Sequence, residues 1–313
     1  MIAIAISTVE KVITAMDQTI GKHKTALQKR LRRQKKKLTE TRHVQYMDYL
    51  LSLKGDIIVA PPVRLNHIKK KLNRIVGPNS LKLPAHQPLR DALFAAFHYQ
   101  ELRSDFYPEY FSKLGIKACI YCNAHLTVTA IETTGHYRAK FQVDHYWAKT
   151  DYPAFSTSLF NLYPTCASCN NIKNDKKVSF DLYVNRVPDQ SAFSFKLKPG
   201  CVKNYLDSRK LSDIEIDFIE PAAPPKHESF DELFAIKGIY DTQKDIAAEL
   251  IEKAEVYRAT YKQGLIKQFP EIFTPASIDR LITGNYTLEN EIHKRPMAKF
   301  VRDISIQVGL IKK

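Results

Sequence analysis

The sequence predicts an α+β chain: a small metal-stapled core set between mostly helical N- and C-terminal regions. Three observations predict it. Two Cys-x-x-Cys pairs, Cys119-Ile-Tyr-Cys122 and Cys166-Ala-Ser-Cys169, stand in mid-chain. Short runs around and after them alternate apolar and polar residues, the period of a strand, and apolar residues recur at helical spacing towards both ends. Each cysteine pair offers two sulfurs from one tight turn, and two pairs make a tetrahedral four-thiolate zinc site.

The bulk properties narrow the class. With a formal charge of +15 and a pI near 9.4, the chain favours polyanions, either nucleic acid or an anionic surface. No apolar run approaches the roughly 20 residues that a membrane-spanning helix needs. The apolar start, residues 1–6, is too short for a secretion signal, and Glu10 and Lys11 follow it closely. Four of the five cysteines sit in the pairs, so a metal site in the cytoplasm is expected rather than a disulfide framework. Cys201, left over, is expected to be a buried or incidental thiol. Three regions follow from composition: a basic, mostly helical part (1–115), a core with the cysteines and a following hairpin (116–220), and a helical C-terminal part (221–313).

In chain order, Ile4, Val9, Val12, Ile13, Met16 and Ile20 predict an opening amphipathic helix. Residues 22–37 then carry nine Lys or Arg and no acid, and residues 57–90 carry seven, again without an acid. One such run reads as a solvated helix face; two in the same half favour nucleic-acid contact. Pro61-Pro62, Gly77-Pro78 and Pro84 divide the second run into short helices. Leu89, Leu93, Phe94 and Phe97 mark another, and Pro108 is expected to open a helix that Gly115 ends. Leu126 to Ile131 and Tyr137 to Asp144 read as two strands around Thr133-Thr-Gly135, and Cys169 to Lys177 as the start of a helix. Phe193 to Leu197 and Ile214 to Phe218 are expected to pair as a hairpin. From Asp207 to Glu255 acids outnumber Lys and Arg thirteen to six, so this part is expected to pack on the core rather than on a polyanion. Pro221 to Pro225 reads as a linker. Ile246 to Leu265 reads as one long helix with Asp241 as its N-cap and Pro270 as its stop. Thr274-Pro275 starts another, and a last helix is expected over about 296–310.

The gap between the cysteine pairs carries chemistry. Asp144-His145 ends the second predicted strand, Asn161 follows a loop rich in Tyr, Phe and Ser, and Asn170 and Lys173 follow Cys169. Asp144 offers a charged oxygen and Asn170 a neutral one to a hard divalent cation, while His145 can take a proton. Asn161 could fasten the loop that leaves His145, and Lys173 could reach a phosphate. Trp147, the single tryptophan, is expected to pack in the core rather than stack on a base.

Asp144-His145, Asn161-Leu162 and Cys166-x-x-Cys169-Asn170-x-x-Lys173 together resemble the ββα-metal motif of HNH endonucleases, in the subclass with a four-cysteine zinc site. The resemblance covers about 55 residues. It implies a site of two antiparallel strands and one helix, with His145 as general base. It also implies Asp144 and Asn170 as ligands of a catalytic Mg²⁺ or Mn²⁺, Asn161 as the structural middle Asn, and Cys119, Cys122, Cys166 and Cys169 on structural zinc. Asn170 stands where many members carry a third histidine. The basic helices and Phe234-Ala-Ile-Lys-Gly-Ile-Tyr240 are also similar to HNH effectors of Septu- and retron-type anti-phage systems, which are encoded beside an ABC-like ATPase. The expected function is metal-dependent hydrolysis of DNA phosphodiesters, as a defence effector with an ATPase partner. Two alternatives stand beside it: a zinc-stapled nucleic-acid-binding subunit without catalysis, and an HNH nuclease that cuts RNA such as tRNA.

Overall fold

The computed structural model describes residues 2–104, 106–185, 192–223 and 227–312, and these form an α+β chain with four two-stranded sheets among mostly helical segments. The opening run is not one helix. Ile4–Ala5 forms β1, α1 spans Ile6–Ala15, and α2 spans Asp17–Lys35, with a break at Met16 (φ −113°, ψ 16°). The apolar periodicity survives this bend because Val9, Val12, Met16, Ile20, Leu27 and Leu31 are all buried.

Next come α3 (Thr41–Ser52), α4 (Pro62–Ile75) and α5 (Pro78–Leu81), the last two opening on proline as expected. α6 (Gln87–Phe97), α7 (Tyr99–Ser104) and α8 (Phe106–Leu114) follow; α8 starts two residues ahead of Pro108, and Gly115 ends it at φ 73°. α2 packs along α3 and α6, so its apolar stripe is core while Lys29, Arg32, Arg33, Lys36 and Lys37 face solvent.

In the central region the strands differ from expectation. β2 (Thr129–Ile131) and β3 (Tyr137–Ala139) form the hairpin around residues 133–135. The second strand does not run on to Asp144: the chain bends after Ala139, where the Lys140 N–H bonds to the Val128 carbonyl. Residues Gln142–His145 form a separate strand, β4, paired antiparallel with β5 (Leu162–Thr165) in the register Asp144 opposite Tyr163 and His145 opposite Leu162. All four β5 residues are buried, so the strand has no polar alternation to betray it. α9 (Ala167–Lys173) follows at once, earlier and shorter than the expected helix, and Asn174 at φ 43° ends it. β6 (Tyr183–Val184) then pairs in parallel with β1.

β7 (Ser194–Leu197) and β8 (Ile216–Ile219) pair antiparallel as expected, with α10 (Cys201–Ser208) in their connection. Cys201 is buried. Pro224 and Pro225 of the expected linker lie outside the described residues. α11 (Phe230–Phe234) and α12 (Ile236–Asp241) meet at Ala235 (φ 51°). The long helix expected over 246–265 is two, α13 (Lys244–Val256) and α14 (Ala259–Gln268), broken at residues 257–258. Asp241 is not its N-cap: it ends α12, where Lys237 binds it at 2.6 Å, and Gln243 precedes α13. α15 (Pro275–Thr283) starts in a Thr274–Ser277 capping box, and α16 (Ala298–Gln307) falls within the expected last helix. α16 covers the free edge of β7. Asp303 Oδ2 accepts from the Phe195 N–H at 2.9 Å and Gln307 Oε1 from the Leu197 N–H at 2.7 Å. One hydrophobic cluster runs from Ile2 to Ile311 through all three sequence regions. Among the described residues no helix is long and apolar enough to cross a membrane.

Candidate active site

The cysteine cluster is built from two turns. In the first, the Cys119 N–H bonds to the His125 carbonyl and the Asn123 N–H to the Cys119 carbonyl, both at 2.8 Å, with Asn123 at φ 55°. In the second, Cys166 caps α9, its Sγ accepting the Cys169 N–H at 3.5 Å. The Ala124 N–H points at Cys122 Sγ (3.4 Å) and the Cys166 N–H at Cys119 Sγ (3.3 Å). Such donors suit thiolates. All four Sγ atoms are buried and lie within 4.8 Å of one another, and none forms a disulfide. A zinc ion with Zn–S bonds of about 2.3 Å needs sulfurs roughly 4 Å apart, so the four cysteines could hold one. The four thiols titrate as one cluster: hydrogen bonds within it lower Cys122 and Cys166, whereas burial raises Cys119 and bonds from the other three raise Cys169.

β4, β5 and α9 bring the remaining candidates together. Asp144, His145 and Asn170 line one cleft of about 470 Å³, with Tyr99, Arg103, Gln142 and Lys149. Successive strand residues point to opposite faces, which separates Asp144 from its neighbour. Asp144, 5% exposed, accepts from the Tyr121 hydroxyl on Oδ2 (2.5 Å) and from Lys173 Nζ on Oδ1 and Oδ2 (3.2 and 3.1 Å). Burial pushes its carboxyl above the ordinary value, against the opposing pull of Lys173 and Tyr121. A carboxylate has about four lone-pair sites. The His145 N–H adds a fourth contact, so a cation would share these oxygens with protein donors. Asn170 donates Nδ2 to Gln142 Oε1 at 2.6 Å, which orients the amide and leaves its carbonyl oxygen as an acceptor. One charged and one neutral oxygen suit a hard cation that keeps most of its waters.

His145 Nε2 lies 3.0 Å from the Ser156 carbonyl. A carbonyl only accepts, so the proton sits on Nε2 and the lone pair on Nδ1. Burial, with Lys149 and Lys173 nearby, lowers the imidazole to about 3 against the pull of the Ser156 carbonyl, so it is neutral at physiological pH. Tyr99 packs on the ring at 4.8 Å.

Asn161 is fully buried and holds the loop that leaves His145. Its Oδ1 accepts from the Trp147 N–H (2.8 Å), and its Nδ2 donates to the carbonyls of Trp147 (3.2 Å) and Phe155 (3.1 Å). Lys173 departs from the expectation that it reaches phosphate. It is fully buried and faces inward, giving a further hydrogen bond to the His145 carbonyl at 2.8 Å. The α9 helix presents Asn170 to the cleft and turns Lys173 into the core. Trp147 is half-buried and packs on Phe155 at 5.2 Å.

Sequence reasoning missed four participants. Gln142 stands two residues before Asp144, where strand period would have placed it on the same face. Tyr121 lies inside the first Cys-x-x-Cys pair. The Ser156 carbonyl left no signal, since any residue supplies one. Arg103 reaches the cleft from α7, far off in sequence. No protein-family model, curated protein or solved structure matches this chain.

Proposed function

We propose that this chain is a metal-dependent HNH endonuclease that hydrolyses DNA phosphodiesters. The single observation that carries the reading is the convergence, in one cleft, of a neutral His145 with a free Nδ1 and the two oxygen donors of Asp144 and Asn170. They are set on two antiparallel strands and a helix that share the cysteine turns. Asp144 and Asn170 would hold Mg²⁺ or Mn²⁺, which supplies positive charge to a scissile phosphate and its leaving oxygen. His145 Nδ1 takes the proton of the attacking water, and the Ser156 carbonyl steadies the proton on Nε2 as positive charge develops on the ring. Asn161 keeps the loop, and hence that carbonyl, in place. The four cysteines would hold zinc, which would keep α9 against the strands. In this reading the basic N-terminal half meets DNA, and an ABC-like ATPase partner in an anti-phage system controls the cutting; that last step rests on the family likeness.

The Lys173–Asp144 pair favours a second reading, a zinc-stapled nucleic-acid-binding subunit in which a lysine has replaced the catalytic cation for good. Incubation of zinc-loaded chain with DNA and with RNA, with and without Mg²⁺ or Mn²⁺, tests both. The nuclease reading expects divalent-dependent DNA cutting that His145→Ala abolishes without loss of zinc. Cutting by His145→Ala at the parent rate overturns it. RNA cut in preference to DNA would reassign the substrate.

A further inference from the structure

α4 lies beside the loop that leaves His145. Lys69 Nζ sits 4.2 Å from the centre of the Trp147 ring and 5.6 Å from that of Tyr152. Trp147 is two residues past His145, and Asn161 pins its backbone on both sides. Lys69 therefore rests on the segment that carries the general base. It is not alone: half-burial is the main cost to its ammonium's charge, and the positive charges of Lys177, just beyond α9, and of Lys70 add to it. Lys70 and Lys177 are exposed. Nearby lysines behave differently, since Lys176 pairs with Glu228 and Lys82 with Asp151. Among the described residues no carboxylate lies within ion-pair distance of Lys69, Lys70 or Lys177. Three cations gathered without an acid cost free energy unless an anion joins them. The cleft itself adds Lys149 and Arg103, with Asp175 on its rim.

We infer that Lys69, Lys70 and Lys177 form a site for the phosphate backbone of the nucleic-acid substrate, guiding the strand along α4 and past Trp147 into the cleft. The inference rests on the nuclease reading and deepens it. It assigns affinity, not chemistry, to these lysines: they hold phosphates next to the one cut and touch no reacting atom.

The test uses the full zinc-loaded chain carrying His145→Ala, so that a short DNA duplex stays intact, and measures affinity across a salt series. Each duplex phosphate contact contributes about 0.9 to the slope of log K against log salt. Replacing all three lysines with Gln is expected to reduce the slope by about 2.7 and to raise Kd at least tenfold. The double variant Lys70→Gln/Lys177→Gln, which leaves the half-buried Lys69 in place, is expected to remove about 1.8. Trp147 is the only tryptophan, so its fluorescence reports this site alone. Its emission is expected to change on duplex addition in the His145→Ala chain and not in the triple variant. Binding with unchanged slope in both lysine variants overturns the inference while leaving the nuclease reading intact. No duplex binding by the His145→Ala chain itself overturns both.

Discussion

At the scale of single residues, the site turns on how four side chains share two functions. Asp144 is held by Tyr121 and Lys173, and His145 by the Ser156 carbonyl. General-base action by a positioned side chain contributes about 10²–10⁴-fold, so His145→Ala is expected to cut DNA at least a hundredfold more slowly, read in single-turnover assays. Lys173 plays a different part. Removing one partner of a buried ion pair costs about 3–5 kcal/mol because the other charge is stranded, and Lys173→Met is expected to lower stability by that order in urea unfolding. An unchanged midpoint would mean that Asp144 is already protonated. His293, whose carbonyl accepts the Lys117 and Ala118 N–H groups ahead of the first cysteine turn, supplies a pH dependence. Burial, with Lys294 nearby, lowers its imidazole from 6.5 to about 4 against the pull of Glu291. Between those values the unfolded chain binds a proton that the folded chain refuses, so stability falls as pH drops from about 6.5 towards 4. The effect approaches about 3 kcal/mol at its acid end, and His293→Gln is expected to remove that share of the slope.

At the scale of elements, the cysteine turns join parts of the chain far apart in sequence. Asn123 accepts the Met297 N–H on its carbonyl and the Lys299 N–H on Oδ1, and the Tyr240 hydroxyl bonds to the Cys122 carbonyl at 2.9 Å. The first cysteine turn is thus a mount for α12 and α16, and the second is the cap of α9. Chelation of the zinc is expected to open the region 116–175 to protease ahead of α1–α6, with the start of α16 loosening alongside it. A proteolysis pattern unaffected by chelation would refute that role. These couplings explain what could be read in advance. The cysteine pairs, Asp144, His145 and Asn170 announce their chemistry by residue type and spacing. The β7–β8 pairing was legible from alternation and the start of α15 from Thr274-Pro275. β5 was not legible, because Pro164 argues against a strand and burial on both faces leaves no alternation to mark it. The break at Met16 was hidden because the buried positions keep helical phase across it; α14 buries no residue, so only the partly buried Ala254, Tyr257 and Leu265 carried the spacing past residues 257–258. The inward turn of Lys173 was hidden because its partner Asp144 lies 29 residues away.

At the scale of the whole molecule, charge and packing divide the labour. Most of the net charge of +15 lies in residues 1–115, whereas the acidic segment builds α11, α12, α13 and β8 and packs on α9 and the first cysteine turn. Affinity for DNA is therefore expected to fall steeply with salt. The loop 146–161 ties the two together: Ser158 Oγ donates to the Ile57 carbonyl at 2.7 Å, and residues 153–155 pack on α6. A nuclease and a zinc-only binding subunit share all of this and differ in one respect, whether a second divalent cation enters beside Lys173. Titration of Mn²⁺ into the zinc-loaded chain, followed by electron paramagnetic resonance with zinc counted in parallel, separates them. The result expected is one Mn²⁺ bound per chain, lost in Asp144→Ala and weakened in Asn170→Ala, with one zinc retained throughout. No bound Mn²⁺, or binding indifferent to Asp144→Ala, would contradict the two-metal nuclease.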